Sequence, residues 1–248
     1  RPGVGKSALG LDVVRHASIR QGLTSAIFSL EMSSSEIAMR MLSAEARVGI
    51  HHMRGGTMSQ HDWEAIGKVI SSVQAAPIII DDSPNMTLPE IRSKARRIKK
   101  QHGLDFIVLD YLQLMTSGKR VENRQVEVSE FSRQIKLLAK ELEIPVVATS
   151  QLNRGSEQRT DKTPQLSDLR ESGSIEQDAD IVMLLNRPDQ NSTGESERPG
   201  EGDIIVAKNR SGPVNRVAVL FQGHYSRFMP MAHDIEPESG GASAADFG

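Results

Sequence analysis

The chain contains no cysteine. That excludes a disulfide framework and any thiolate metal site. Aromatic residues make up only 4% of it, with a single Trp, so the core has to be built from aliphatic side chains. No apolar run approaches the roughly 20 residues of a membrane span. No signal peptide opens the sequence, so a soluble, cytoplasmic protein with no membrane partner is expected. An excess of either charge is missing too: 30 Lys and Arg stand against 32 Asp and Glu, a formal net charge of −2. A protein of that balance does not grip nucleic acid over its whole surface. A few basic residues lining a channel remain compatible with it. There is no internal repeat. The histidines are scattered, and His51-His52 is not a metal pair, because adjacent residues on regular structure diverge and no spaced third ligand is evident.

What the chain does have is a series of short aliphatic runs. They are SAIFSL (25–30), PIIID (77–81), FIVLD (106–110), IPVVATS (144–150) and DIVMLL (180–185). None alternates with polar residues, as befits strands buried on both faces. Helix starts lie between them. Ser33-x-x-Glu36 and Thr87-x-x-Glu90 fit capping boxes, the second with Pro89 in the first turn. Strands alternating with helices predict an α/β fold: a mostly parallel, twisted sheet with helices on both faces. The C-terminal third differs. DIIVAKNR (203–210), NRVAVLF (215–221) and YSRFM (225–229) are closely spaced and predict an antiparallel meander at the sheet edge. A polar loop covers 187–202. The expected domain is 1–230, and 231–248 has the composition of a disordered tail.

The first residues, RPGVGKS, match the later part of the phosphate-binding pattern G-x-x-x-x-G-K-[ST]. Its first glycine would precede Arg1, and so would the strand that feeds such a loop. In a loop of this kind, residues Arg1, Pro2, Gly3, Val4, Gly5, Lys6 and Ser7 wrap the phosphates. Glycines turn successive N–H groups inward, and the following helix adds its positive end. Lys6 would reach the β- and γ-phosphates, and Ser7 would hold Mg²⁺. The cofactors expected are therefore ATP and Mg²⁺.

Such a site also needs a carboxylate at a strand end. Asp110 ends FIVLD, while Asp81 and Asp82 end the IIIDD run, and spacing alone does not choose between them. Glu31, just beyond SAIFSL, is placed to polarise an attacking water, or else is a helix-entry charge. Gln151 follows IPVVATS and would sense a γ-phosphate, or is an ordinary loop residue.

RPGVGKS, FSLEMS (28–33), IVLDYLQLM (107–115), TSQLNR (149–154), LRESGSIEQDAD (169–180) and KNRSGP (208–213) occur in that order. Together they resemble the ATPase domain of DnaB-type replicative DNA helicases, a RecA-like P-loop NTPase that works as a ring. The resemblance implies that Glu31 is the catalytic base, Asp110 the acid on the Mg²⁺ side, acting through water, and Gln151 a sensor. It implies that Lys208 and Arg210 reach the neighbouring subunit's γ-phosphate, a use suited to a permanently charged, forked guanidinium. It places Arg170, Glu171 and Gly173 on the backbone of single-stranded DNA in a central channel. The partners implied are single-stranded DNA at a replication fork, five further copies in a homo-hexamer, a primase and a helicase loader. The implied location is cytoplasmic, at the nucleoid's replication forks.

By residue type, KNRSGP is a basic β-turn and LRESGSIEQDAD a mixed-charge loop. TSGKRVENR (116–124) is polar and basic and has no assigned role. IRSKARRIKK (91–100) carries six basic residues and is expected to be a solvated helix face. A recombinase or a clock-type ring ATPase would share the core motifs, but LRESGSIEQDAD and KNRSGP favour the helicase. A third reading is an inactive piece of the motor. Without the strand before the phosphate loop, two neighbouring strands lose a ladder partner, at about 1–3 kcal/mol per unpaired buried group. On that reading the chain alone is weakly stable and turns over little ATP.

Overall fold

The computed structural model describes residues 3–115, 124–153, 159, 161–190 and 198–231. Arg1, Pro2, most of TSGKRVENR and the tail after 231 lie outside the described residues.

The first half is an α/β unit. Helix α1 (Lys6–Val14) continues as a wider π-helical stretch over Arg15–Arg20 and leads to β1 (Ser25–Ser29). Helices α2 (Ser34–Ala46), α3 (Ile50–Gly55) and α4 (Gln60–Ala75) follow, then β2 (Ile78–Asp81), α5 (Leu88–His102), β3 (Phe106–Asp110), α6 (Arg124–Leu142) and β4 (Val146–Ala148). The strands pair in parallel in the order β2-β1-β3-β4. Side chains alternate across this sheet. Ala26, Phe28, Ile107 and Leu109 pack under α5 and α6, against Ile91, Ala95, Phe131 and Leu138. Ile27, Phe106 and Val108 pack on the other side against Leu11 and Val14 of α1 and Ile37 and Met41 of α2. Two buried faces explain the unbroken apolar runs. Each such side chain contributes about 1.5–3 kcal/mol by leaving water.

Local signals set the helix starts. The Thr87 N–H donates to Glu90 Oε2 at 2.7 Å, as the expected capping box requires. At Ser33 only half the box forms. Its hydroxyl accepts from the Glu36 N–H, while the Glu36 carboxylate turns away to Arg40 and Arg54. Ser59 and Asp62 form a full box at α4.

The second half is a separate antiparallel sheet in the order β5-β6-β7-β8, with β5 at Ile181–Asn186, β6 at Glu201–Asn209, β7 at Asn215–Gln222 and β8 at Arg227–Pro230. Here the expectation needs correcting. DIVMLL does not join the parallel sheet; it opens the antiparallel one. Its burial alternates: Val182 and Leu184 face Leu169, Ile205 and Ala207, while Ile181 is 54% and Met183 47% exposed. The meander is therefore a sheet of its own, not an edge of the first. Among the described residues, β4 pairs only with β3 and β5 only with β6.

LRESGSIEQDAD also departs from its expected loop form. Its backbone forms a 3₁₀ stretch over Leu166–Ser172 and a short helix, α7 (Gly173–Asp178). IRSKARRIKK lies on α5 as a solvated face: Arg92 and Arg96 share Glu141, Lys94 pairs with Asp81, and Arg97 and Lys100 are exposed.

Candidate nucleotide site

The parallel sheet delivers its carboxyl-terminal strand ends to one place. In register, Phe28 lies beside Asp81 and Ser29 beside Asp110. The Leu30 N–H donates to the Asp110 carbonyl at 2.8 Å, so the chain leaving β1 stays against β3 and carries Glu31 to the same edge. Helix α1 starts there too.

The turn into α1 depends on glycine. Gly3 has φ 75° and Gly5 φ 108°, conformations in which a Cβ is strained. A Cβ on Gly5 would also lie 2.8 Å from Cζ of Phe228. Phe228 packs tilted against Phe221 with ring centroids 4.7 Å apart, and its N–H donates to Asp12 of α1 at 2.6 Å. The antiparallel sheet therefore buttresses the start of α1. At the other flank, the Gln190 side-chain amide donates to the Gly3 carbonyl at 3.2 Å.

Electrostatics gather Lys6, Glu31 and Asp110. Burial lowers the pKa of the Lys6 ammonium, and the negative charges of Asp110 and Glu31 act against that. Burial raises the Tyr111 phenol's pKa, and the same two carboxylates add to the rise. Asp110 is 4% exposed. Its Oδ1 accepts from the Thr149 hydroxyl at 2.5 Å, whereas its buried Oδ2 has no hydrogen-bond partner among the described residues. Such an oxygen is costly unless something occupies it. Asp81 and Asp82 are already engaged. Asp81 pairs with Lys94 at 2.6 Å and accepts from Ser83. Burial works to raise its pKa, but those partners outweigh it and hold the carboxyl below its ordinary value. Asp82 accepts the Ser34 N–H at the start of α2 at 2.6 Å.

Gln151 is exposed at the end of the segment leaving β4. Gln113 holds it there. The Gln113 side chain accepts from the Gln151 N–H and donates to the Ser150 hydroxyl and the Gln151 carbonyl, at 3.1, 2.8 and 3.1 Å. Thr149 and Gln113 are the residues that motif reasoning missed. Their role depends on β3 lying beside β4, and no local pattern carries that.

Lys208 and Arg210 do not join this cluster. They sit at the end of β6, where Lys208 donates to the carbonyls of Glu176 and Gln177 and Arg210 to that of Gln177. The backbone of Arg170, Glu171 and Gly173 lies in the helical stretch leading to those carbonyls, and the side chains of Arg170 and Glu171 lie outside the described residues.

A nucleotide with a divalent ion fits the residues present. The glycine turn, Lys6, Ser7 and the unpartnered Oδ2 converge on one strand edge. Among the described residues, no group of three or more His, Cys, Asp or Glu could hold a metal. An ion here would take most of its oxygens from phosphate and water, as Mg²⁺ commonly does. Among the described residues, no helix is long and apolar enough to cross a membrane.

Comparison with known proteins gives the family. The profile of the DnaB-like helicase C-terminal domain matches residues 1–230. The chain is 62% identical over 94% of its length to the replicative DNA helicase DnaB of Leifsonia xyli subsp. xyli, covering 50% of that protein. It is 61% identical over 91% of its length to that of Mycobacterium intracellulare, covering 39% of it. The chain thus spans half or less of the curated relatives it matches. The solved structure of a DnaB-like replicative helicase, described with its interactions with primase, superposes with a TM-score of 0.88 at 35% identity, over 93% of this chain and 57% of that one.

Proposed function

The chain belongs to the DnaB-like helicase C-terminal domain family, and from that premise we propose that it is the motor domain of a ring-shaped replicative DNA helicase. It couples ATP hydrolysis at subunit interfaces to movement along single-stranded DNA and to strand separation at the fork. The observation that carries this reading is the Oδ2 of Asp110, buried and unpartnered beside Lys6 and Glu31 at the ends of adjacent parallel strands.

Each residue has a defined task. The N–H groups of the glycine turn and α1 receive the phosphates, and the Lys6 ammonium binds their β- and γ-oxygens. Glu31 orients the attacking water and accepts its proton. Ser7, and Asp110 through water, would hold Mg²⁺; when bound, the ion neutralises charge on the phosphate oxygens. Thr149 fixes the Asp110 carboxylate. Gln151, tethered by Gln113, senses the state of the γ-phosphate. Lys208 and Arg210 serve the nucleotide of the adjacent subunit, where a guanidinium stabilises charge spread over equatorial oxygens. Arg170, Glu171 and Gly173 hold the strand by its backbone, which suits a motor that travels over any sequence. The complete protein works as a homo-hexamer at cytoplasmic, nucleoid-associated forks, with a primase and a loader as partners.

The test is Arg210→Ala in the full-length protein. ATP turnover should fall about a thousandfold or more, while nucleotide affinity changes less than about threefold. Equal loss of affinity and turnover would contradict the role across the interface.

A further inference from the structure

Two stretches with separate roles meet on one short helix. Antiparallel pairing sets Ile181 beside Asn209 and Val182 beside Lys208, so the end of β6 lies against the chain leaving α7. The last carbonyls of a helix have no donor within it. In α7 the Ile175 carbonyl accepts the Ala179 N–H. The next two carbonyls are satisfied from the end of β6 and the turn after it. Lys208 Nζ donates to the carbonyls of Glu176 and Gln177, the second at 3.3 Å, and Arg210 Nη2 to that of Gln177 at 2.6 Å. Arg210 Nη1 faces Asp180 Oδ1 at 3.6 Å, and the Arg210 N–H donates to the Asp180 carbonyl at 2.9 Å. The other oxygen of Asp180 is paired with Lys136 of α6. These cations hold its carboxyl below the ordinary range, Lys136 most strongly.

We propose that Asp180, with the carbonyls of Glu176 and Gln177, is a latch that holds the Lys208–Arg210 turn in its own subunit. On this proposal, the move of that turn to a neighbour's nucleotide releases the end of α7 and thereby couples that nucleotide to the strand-holding segment 170–173. The inference rests on the role across the interface given to Lys208 and Arg210 above. Both terminal nitrogens of the Arg210 guanidinium face their own subunit. Presenting the Arg210 fork and the Lys208 ammonium to a phosphate elsewhere means surrendering these contacts together, which leaves the Glu176 and Gln177 carbonyls without their side-chain donors and α7 free to fray. Arg210 and Asp180 are 51% and 55% exposed, so the ion pair is weak enough to exchange. By reciprocity, a strand that reshapes 170–173 and loosens α7 makes the turn available, and the strand thereby stimulates turnover. Asp180 is a positioning residue: it acts through Arg210 and touches no reacting atom.

Asp180→Asn in the full-length protein keeps the shape and removes the charge. DNA-free ATP turnover should rise about threefold to fivefold, the scale of one exposed ion pair. Turnover with saturating oligo(dT) should stay within twofold, so the stimulation ratio shrinks, and Asp180→Glu should restore it. An unchanged ratio, or both rates falling together with the melting temperature, would overturn the latch. The unmodified protein supplies a second measurement. A non-hydrolysable ATP analogue without DNA should speed amide hydrogen exchange over 174–179, and no change there would equally overturn it. Failure of either result, with Arg210→Ala still abolishing turnover, removes the latch and leaves the motor assignment standing.

Discussion

Two carboxylates are buried almost equally, Asp110 at 4% and Asp203 at 2% exposure, yet their surroundings differ. Asp203, on β6, accepts from Arg216 at 2.6 Å, from Arg198 at 3.1 and 3.3 Å, and from Asn186 at 3.2 Å. Asp110, at the end of β3, accepts, among the described residues, from Thr149 alone and keeps one oxygen unpartnered. A buried charge is tolerated when its lone pairs are satisfied. The saturated one clamps a sheet. The unsaturated one holds the oxygen to which the proposed function assigns a ligand. Burial does not separate these two acids; the count of partners does.

That contrast breaks most visibly at Asp203. Burial acts to raise its pKa, but Arg216, Arg198 and Asn186 outweigh it and hold the carboxyl below its ordinary value. A depressed folded pKa contributes stability that is complete above the unfolded carboxylate's pKa of about 3.9 and is lost as pH falls through the folded one. Asp203→Asn should therefore cost about 2–3 kcal/mol at pH 7, less than a wholly buried pair because both arginines are partly exposed. The deficit should shrink below about pH 4. Denaturant titrations of both forms across that range check it; a deficit independent of pH would mean that the charge is not the clamp.

A smaller effect is expected at Thr149, and of a different kind. Thr149→Val removes the hydroxyl that donates to Asp110 and should cost about 1–2 kcal/mol of stability. ATP turnover should drop about tenfold, because the carboxylate loses its fixed position. Asp203→Asn, once folded, should leave turnover nearly unchanged. Similar turnover losses in both variants would erase the distinction between clamp and site.

Much of this was legible in the sequence, for physical reasons that differ by region. The runs at 25–30 and 106–110 read correctly because both faces of β1 and β3 are covered, so composition alone carries the signal. Asp110 ends one of those runs and Glu31 follows the other, and the pairing of Ser29 with Asp110 and of the Leu30 N–H with the Asp110 carbonyl brings them to one edge. The run at 180–185 misled, because its exposed positions are Ile181 and Met183, apolar residues that hide the alternation. LRESGSIEQDAD reads as a loop because Gly173 sits inside it, yet in the fold that glycine begins α7. Thr149 and Gln113 carried no local signal, since their partners lie across a strand pair. The capping box at Ser59 was missed because its third residue is Asp62, not Glu or Gln.

The central claim is that a triphosphate is cleaved in a cleft completed by an adjacent copy, under the control of a bound single strand. It is tested most directly by measuring ATP turnover per subunit of the full-length protein across a dilution series, with and without oligo(dT), while oligomeric state is followed by light scattering. Turnover should rise with assembly into the ring and rise again with the oligonucleotide. Turnover per subunit that is the same in monomer and oligomer, and indifferent to the oligonucleotide, would contradict the account.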